Sequence, residues 1–222
     1  MLKPHLTFSV ISLCILVGTY CLVQPLFKPY EKEPPQIQGV FLQRPVALPR
    51  VDLINHNNEL ITQDTLKGKW SVISYGYTHC PDVCPLLLVT LAEVETELRR
   101  LTPNANPMFY FYTVDPHRDN VARLKQYVPY FSSTFVGIKA ISTPDKAVFE
   151  ESLGIQSVIN QLDINDSRLY TVSHSQSIFL VNPNGALQAV LLPTFRGEEI
   201  QPFSSEQLVK DITSVVSYYP QI

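Results

Sequence analysis

Glycine is scarce in this chain, with eight residues in 222, and none builds a G-x-x-x-x-G-K-[ST] or G-x-G-x-x-G run. A glycine cradle for nucleotide phosphates is therefore excluded as the main theme. Basic clusters are missing too. Seventeen Lys and Arg stand against twenty Asp and Glu, for a net charge of −3, and no block of five like charges occurs. Nucleic-acid binding draws on clustered Lys and Arg, so no nucleic-acid partner is expected. Four cysteines are too few for a disulfide scaffold. No internal repeat or low-complexity tract stands out.

Charge is also absent from Pro4 to Phe27, apart from a neutral His5. Residues 6–23 are mostly apolar, and eighteen helical residues rise about 27 Å, close to the roughly 30 Å hydrocarbon core of a bilayer. The reading is one N-terminal transmembrane helix over 6–23. A cleaved signal peptide would end on small residues. No Ala precedes Ala47, and bulky Tyr20 before Cys21 disfavours lipid attachment there. Lys3 precedes the span and Lys28 and Lys32 follow it, so the positive-inside rule is nearly silent on orientation.

Proline, by contrast, is plentiful at 18 residues. Six of them (Pro25, Pro29, Pro34, Pro35, Pro45 and Pro49) fall in residues 24–49. Such a stretch reads as a stiff spacer, which leaves 50–222 as the folded domain. All twenty acidic residues follow Tyr30, so the domain side carries the negative charge.

Inside the domain the pattern alternates between strand and helix. Trp70–Tyr77 and Met108–Val114 are rich in β-branched and aromatic residues and predict strands. Leu87, Leu91, Val94, Leu98 and Leu101 mark one apolar face of a helix that starts near Pro81 and Pro85. A second helix runs to about Tyr130. Val136–Ile141 predicts a strand, and Thr143-Pro144 opens a helix to Leu153 as N-cap and first position. Val172–Val181 and Ala186–Leu192 flank the turn Asn182–Gly185. Ser204 and Gln207 form a capping box for a last helix with Leu208, Ile212 and Val215 inward. Residues 156–170 are polar and without period, an insertion loop beside the site. The order implies an α/β domain with a central sheet covered by helices on both faces.

Cys80 and Cys84 sit four apart where the first strong strand meets its helix, the place where open α/β sheets put their chemistry. Residues at i and i+4 of a helix share a face. Two thiols there can converge on one metal ion or close a disulfide. The helix amino end favours the thiolate of Cys80. Two thiolates leave a metal short of donors, and only His56, His79, His117 and His174 lie in the domain. His79 neighbours Cys80 but points the other way on extended backbone. His56 reads as a turn residue and His117 as a loop residue near the site. His174, flanked by Ser173 and Ser175, is the best candidate, though spacing alone leaves the choice open. Two sulfurs and one nitrogen suit copper(I), and a copper(II) form could add water, whereas zinc would want a fourth ligand.

Tyr75-Gly76-Tyr77-Thr78-His79-Cys80-Pro81-Asp82-Val83-Cys84-Pro85 closely resembles the signature of the Sco/SenC family. Asp115-Pro116-His117-Arg118-Asp119 resembles that family's D-P-x-R-D segment. His174 stands where its distal histidine stands, and Asn182–Gly185 resembles the turn that follows. The resemblance covers residues 48–219. It implies a thioredoxin-like fold and a metallochaperone rather than an enzyme, with one copper per domain bound by Cys80, Cys84 and His174. It implies delivery to the dinuclear copper site of cytochrome c oxidase subunit II, from a domain on the outer face of the bacterial inner membrane, with residues 1–5 on the cytoplasmic side. Other periplasmic copper chaperones or thiol reductants are the further partners it suggests. The alternative is a thiol–disulfide oxidoreductase that keeps the oxidase's copper-ligand cysteines reduced. One departure is Ser173, where the family usually has Asp before the histidine. A hydroxyl orients a ligand imidazole less well than a carboxylate, so an altered copper affinity or redox poise is expected from it. Asp82 and Asp115 are the carboxylates expected around the ligands.

Overall fold

The computed structural model describes residues 12, 16–21, 33–103, 105–161, 170–197 and 199–219. Two compact units divide at residue 33. In the first, residues 16–21 are helical and exposed. The rest of the expected span over 6–23, apart from Ser12, lies outside the described residues. So do residues 1–5 and 24–32. Among the described residues no helix is long and apolar enough to cross a membrane.

The second unit, Pro34–Ile222, is built on a mixed sheet of eight strands. In chain order these are β1 (Gly39–Ala47), β2 (Leu53–Asn55), β3 (Leu60–Ile61), β4 (Ser71–Gly76), β5 (Met108–Thr113), β6 (Val136–Ala140), β9 (Ile178–Val181) and β10 (Ala186–Leu191). Their order across the sheet is β1-β10-β9-β4-β5-β6-β2-β3. β4, β5 and β6 run parallel, and the other pairings are antiparallel. Four helices cover it: α1 (Val83–Leu101), α2 (Val121–Tyr127), α3 (Thr143–Leu153) and α4 (Ser205–Tyr218).

Strand alternation divides the core into two layers. Val72, Phe109 and Phe111 point to the layer filled by α1, α2 and α4, whereas Ile73, Tyr75, Tyr110 and Tyr112 point to the layer under α3. All six residues of β4 are buried, which is why its sequence shows no polar face. On α1, Leu87, Leu91, Val94 and Leu98 are buried as the spacing predicts, but Leu101 is exposed in the last turn. α4 buries Leu208, Ile212 and Val215, with the Ser204 side chain accepting the N–H of Gln207. The thioredoxin-like α/β expectation with helices on both faces is met.

Four expectations are corrected. Residues 39–47 are no spacer: β1 pairs with β10 from Gly39↔Leu191 to Ala47↔Ala186. Pro45 falls inside the register shift between Phe41 and Val46, on an edge strand, where a missing N–H costs little. Gly39 has φ +148°, and a Cβ there would meet the Val190 carbonyl oxygen at 2.0 Å. Second, the N-cap of α3 is Ser142, whose hydroxyl accepts the Asp145 N–H, so Thr143 is already helical. Third, the single strand expected over 172–181 is broken: β8 (Tyr170–His174) ends before Ser175, and β9 starts at Ile178. Fourth, the expected loop over 156–170 contains β7 (Ser157–Gln161), which pairs with β8 as a separate two-stranded sheet. Residues 162–169 lie outside the described part. A further two-stranded hairpin joins β11 (Phe195–Arg196) and β12 (Glu199–Ile200).

Candidate metal centre

β4 ends at Gly76, and residues 77–82 turn the chain into α1, whose first turn carries Cys84. The turn is closed by the Cys80 N–H donating to the Tyr77 carbonyl at 3.2 Å. Pro85 fits because the first helical turn has no intrahelical acceptors for its N–H groups. Both thiols are free and buried, Cys84 down to 2% exposure. Gly76 makes room for them. A Cβ at that position would lie 2.5 Å from the Cys84 sulfur and 3.2 Å from the Phe111 ring.

His174, the last residue of β8, brings Nε2 to 3.6 Å from the Cys84 sulfur. Pairing places Ser157 opposite His174 and Ile159 opposite Val172, so these four share the face turned to the domain. The imidazole lies against two tyrosines, with ring centroids 5.5 Å from Tyr75 and 6.0 Å from Tyr77. Its Nδ1 is 2.8 Å from the Ser175 carbonyl oxygen. Nδ1–H donates there, which leaves the Nε2 lone pair facing the sulfurs.

The two thiols share their protons unequally. The Cys84 S–H donates to Cys80 and holds the Cys80 thiol well below the ordinary range, against the opposing effect of burial. The N–H groups of Cys84 and Asp82 act in the same direction. Cys84 is pushed up by the same bond, by burial and by the charge on Cys80. The resting pair is one thiolate and one thiol.

Beneath the Thr78-His79 turn lies Asp119, fully buried. It accepts from the Thr78 N–H at 2.9 Å, the Thr78 hydroxyl at 2.6 Å and the Thr113 hydroxyl at 2.6 Å. Arg123 Nε donates to the Thr78 hydroxyl at 3.1 Å. Asp119 is thus the anchor of the loop that carries Cys80. The sequence marked it only as the last residue of the D-P-x-R-D segment and gave it no role of its own.

The carboxylates and hydroxyl expected around the ligands are placed differently. Ser173 points away from the domain and accepts from Asn160 Nδ2 at 2.6 Å. The expectation that it orients the imidazole is corrected, because strand alternation turns it to the opposite face. Asp82 is exposed and its side chain caps nothing, though its N–H reaches the Cys80 sulfur. Asp115 is buried and bound to Arg118 at 2.5 Å and to the Tyr170 hydroxyl at 2.7 Å. Its carboxylate approaches the site through Arg118, whose guanidinium lies 5.6 Å from the Tyr77 ring centre. His79 stays on the surface, with Nδ1 3.6 Å from Asp119 Oδ1. His117 is exposed. His56 is buried in its turn and accepts the Gly137 N–H through Nδ1 at 3.0 Å.

Among the described residues, no three His, Cys, Asp or Glu side chains already stand as a cage around an ion position. Cys80, Cys84 and His174 instead face one another, with the Cys84 proton held between the two sulfurs. The fit to an ion is nevertheless close. Donors about 2.3 and 2.1 Å from a shared ion at trigonal angles are about 3.8 Å apart. The observed S···N separation is 3.6 Å. Replacing the shared protons by a soft cation needs small movements, and two sulfurs with one nitrogen are donors such a cation prefers.

The sequence profile of the SCO1/SenC family matches residues 44–210. A SCO2-like protein of Rickettsia felis is 31% identical over 176 residues, covering 79% of this chain and 83% of that protein. The structure of Bradyrhizobium japonicum ScoI with copper bound superposes with a TM-score of 0.61 at 27% identity, covering 78% of this chain and all of that one. Yeast Sco1 with copper bound superposes with a TM-score of 0.67 at 24% identity, covering 79% and 91% of the two chains.

Proposed function

The chain belongs to the SCO1/SenC family, and on that premise we propose that it is a copper metallochaperone binding one copper through Cys80, Cys84 and His174. The observation that carries this reading is the imidazole of His174 poised 3.6 Å from the Cys84 sulfur, beside a second thiol that favours its anion. Copper is the cargo. A three-donor site, partly open at half-exposed His174, lets a partner's thiolate enter as one of its own ligands leaves. No redox change is needed for such an exchange. The recipient is the dinuclear copper site of cytochrome c oxidase subunit II, and the role is that of a carrier rather than an enzyme. The apolar stretch over residues 6–23 would hold the domain at the bacterial inner membrane, facing the periplasm.

Copper loading of the full-length chain tests this. One copper per chain is expected, lost in Cys80→Ala. Substoichiometric loading of the wild type, or undiminished loading of the variant, defeats it.

A second reading is supported by the unequal thiol pair. A thiolate at Cys80 can attack a partner's disulfide, forming a mixed disulfide and releasing one partner thiolate. Cys84 then displaces the second partner thiolate, leaving a Cys80–Cys84 disulfide. Two electrons pass to the partner, and a thiol reductant must restore the pair. This would keep the oxidase's copper-ligand cysteines reduced. His174→Ala separates the readings, since thiol exchange does not require the imidazole as a ligand.

A further inference from the structure

The β7–β8 hairpin carries His174 but adds no strand to the main sheet, so its place on the domain is set largely by its side chains. Tyr170, Val172 and His174 share the inward face of β8. Val172 is buried in the core, and His174 meets the Cys84 sulfur. At the opposite end of the strand Tyr170 is gripped by three contacts. Its ring lies against the Arg118 guanidinium, with Cζ 3.6 Å from the ring centre. Its carbonyl oxygen accepts from Arg118 Nη1 at 2.9 Å. Its hydroxyl donates to Asp115 Oδ1 at 2.7 Å, while Asp115 Oδ2 accepts from Arg118 Nε at 2.5 Å. The Arg118 and Asp115 side chains are only 19% and 2% exposed, so water and salt screen this clamp far less than a surface ion pair. A planar guanidinium can stack and donate in two directions at once, which an ammonium cannot.

The same short segment anchors the other half of the donor set. The Thr113 hydroxyl accepts the Asp115 N–H at 3.0 Å and donates to Asp119 at 2.6 Å. Asp119 in turn holds Thr78, and with it the turn that carries Cys80. Residues 113–119 therefore serve the thiol loop with one carboxylate and the histidine hairpin with the other. Just beyond β8 the Ser175 hydroxyl meets that of Tyr75 at 2.5 Å, so a hairpin without the clamp would stay attached at its His174 end and be free to tilt at its Tyr170 end. We propose that Arg118 and Tyr170 are positioning residues for the third metal ligand: clamped to Asp115, they fix the tilt of the hairpin and hold the His174 imidazole facing Cys84. The inference rests on the ligand set proposed above.

The test is a double-mutant cycle in the full-length chain. Arg118→Lys keeps the charge and loses the fork, and Tyr170→Phe keeps the ring and loses the bond to Asp115. Copper(I) affinity is measured by competition with bicinchoninate for wild type, for each variant, for His174→Ala and for each variant combined with His174→Ala. Each substitution is expected to weaken copper(I) about tenfold on its own, the low end of what groups that orient a metal ligand contribute. In the His174→Ala background the loss should be under about twofold, because a group that acts through the imidazole has nothing left to act on. The nitrogen hyperfine pattern of the copper(II) form should change, whereas disulfide exchange with a small thiol, which reports on Cys80 and Cys84 alone, should not. Unchanged affinity in either single variant overturns the inference and leaves the copper site standing. An equal loss with and without His174 also overturns it, since the clamp would then support the domain at large. Should Arg118→Lys fail to fold, Tyr170→Phe decides alone. Undiminished binding by His174→Ala overturns the proposed ligand set and this inference together, and a wild type that takes up no copper overturns the proposed function as well.

Discussion

Nε2 of His174 lies 3.6 Å from the sulfur of Cys84, ninety residues earlier in the chain. One partner belongs to the first turn of α1 and the other to the end of β8, which pairs with β7 in a two-stranded sheet apart from the main one. The donor set is therefore a product of tertiary closure.

Removing the imidazole should separate binding from folding. His174→Ala is expected to weaken copper by more than about a hundredfold, beyond what the loss of a supporting contact costs. Disulfide exchange with a small thiol should stay within a few-fold of wild type. Chelator competition and an exchange assay on the same preparation measure both.

Gly76→Ala should damage the site from beneath. Its methyl group would arrive 2.5 Å from the Cys84 sulfur and 3.2 Å from Phe111, in a fully buried strand. Overpacking of this kind costs about 1–3 kcal/mol. Urea unfolding should show that loss, and copper affinity should fall with it.

Asp119→Ala strands three donors, the Thr78 N–H and the hydroxyls of Thr78 and Thr113. Losing a charged acceptor in a buried site is expected to cost about 3 kcal/mol. Denaturant titration measures it. Copper affinity should drop as well, because the loop bearing Cys80 loses its anchor.

Ser173→Asp should leave copper affinity within about threefold of wild type. The side chain faces Asn160 on the outer side of the hairpin. A larger gain would mean that the carboxylate reaches the imidazole after all.

Acidification should destabilise the domain through His56. Burial first, then the positive charge of Lys125, holds its folded pKa below the ordinary imidazole value, with Glu59 opposing. The unfolded chain takes up the proton near pH 6.5, the folded chain only below that. The stabilisation is complete above about pH 6.5 and is lost as pH falls toward the folded value. Protonated Nδ1 could no longer accept the Gly137 N–H. The stability difference between wild type and His56→Gln should therefore shrink between pH 7.5 and pH 5.5 in urea titrations.

The elements that announce themselves locally were legible in the chain. α1 and α4 carry their apolar faces at helical spacing, and the thiol pair sits at the end of a continuous apolar strand. β1 was hidden because its partner is remote, Gly39 pairing with Leu191, and because prolines usually mark spacers. The β7–β8 hairpin was hidden because its two five-residue strands are short and mostly polar, and four of the five residues of β7 are exposed. Asp119 owes its role to complete burial, which follows from how α2 and β5 pack and not from its neighbours in sequence. Ser173 misled for a related reason. Adjacency to His174 suggests contact, but alternation along β8 separates the two faces.

The acceptor for His174 Nδ1–H is a main-chain oxygen, that of Ser175. Every amino acid supplies that atom. The imidazole's tautomer is accordingly insensitive to the side chains at 173 and 175, although the Ser175 hydroxyl also meets the hydroxyl of Tyr75, whose ring packs on the imidazole. A change in the path of the backbone, such as an insertion between β8 and β9, would turn the ring away.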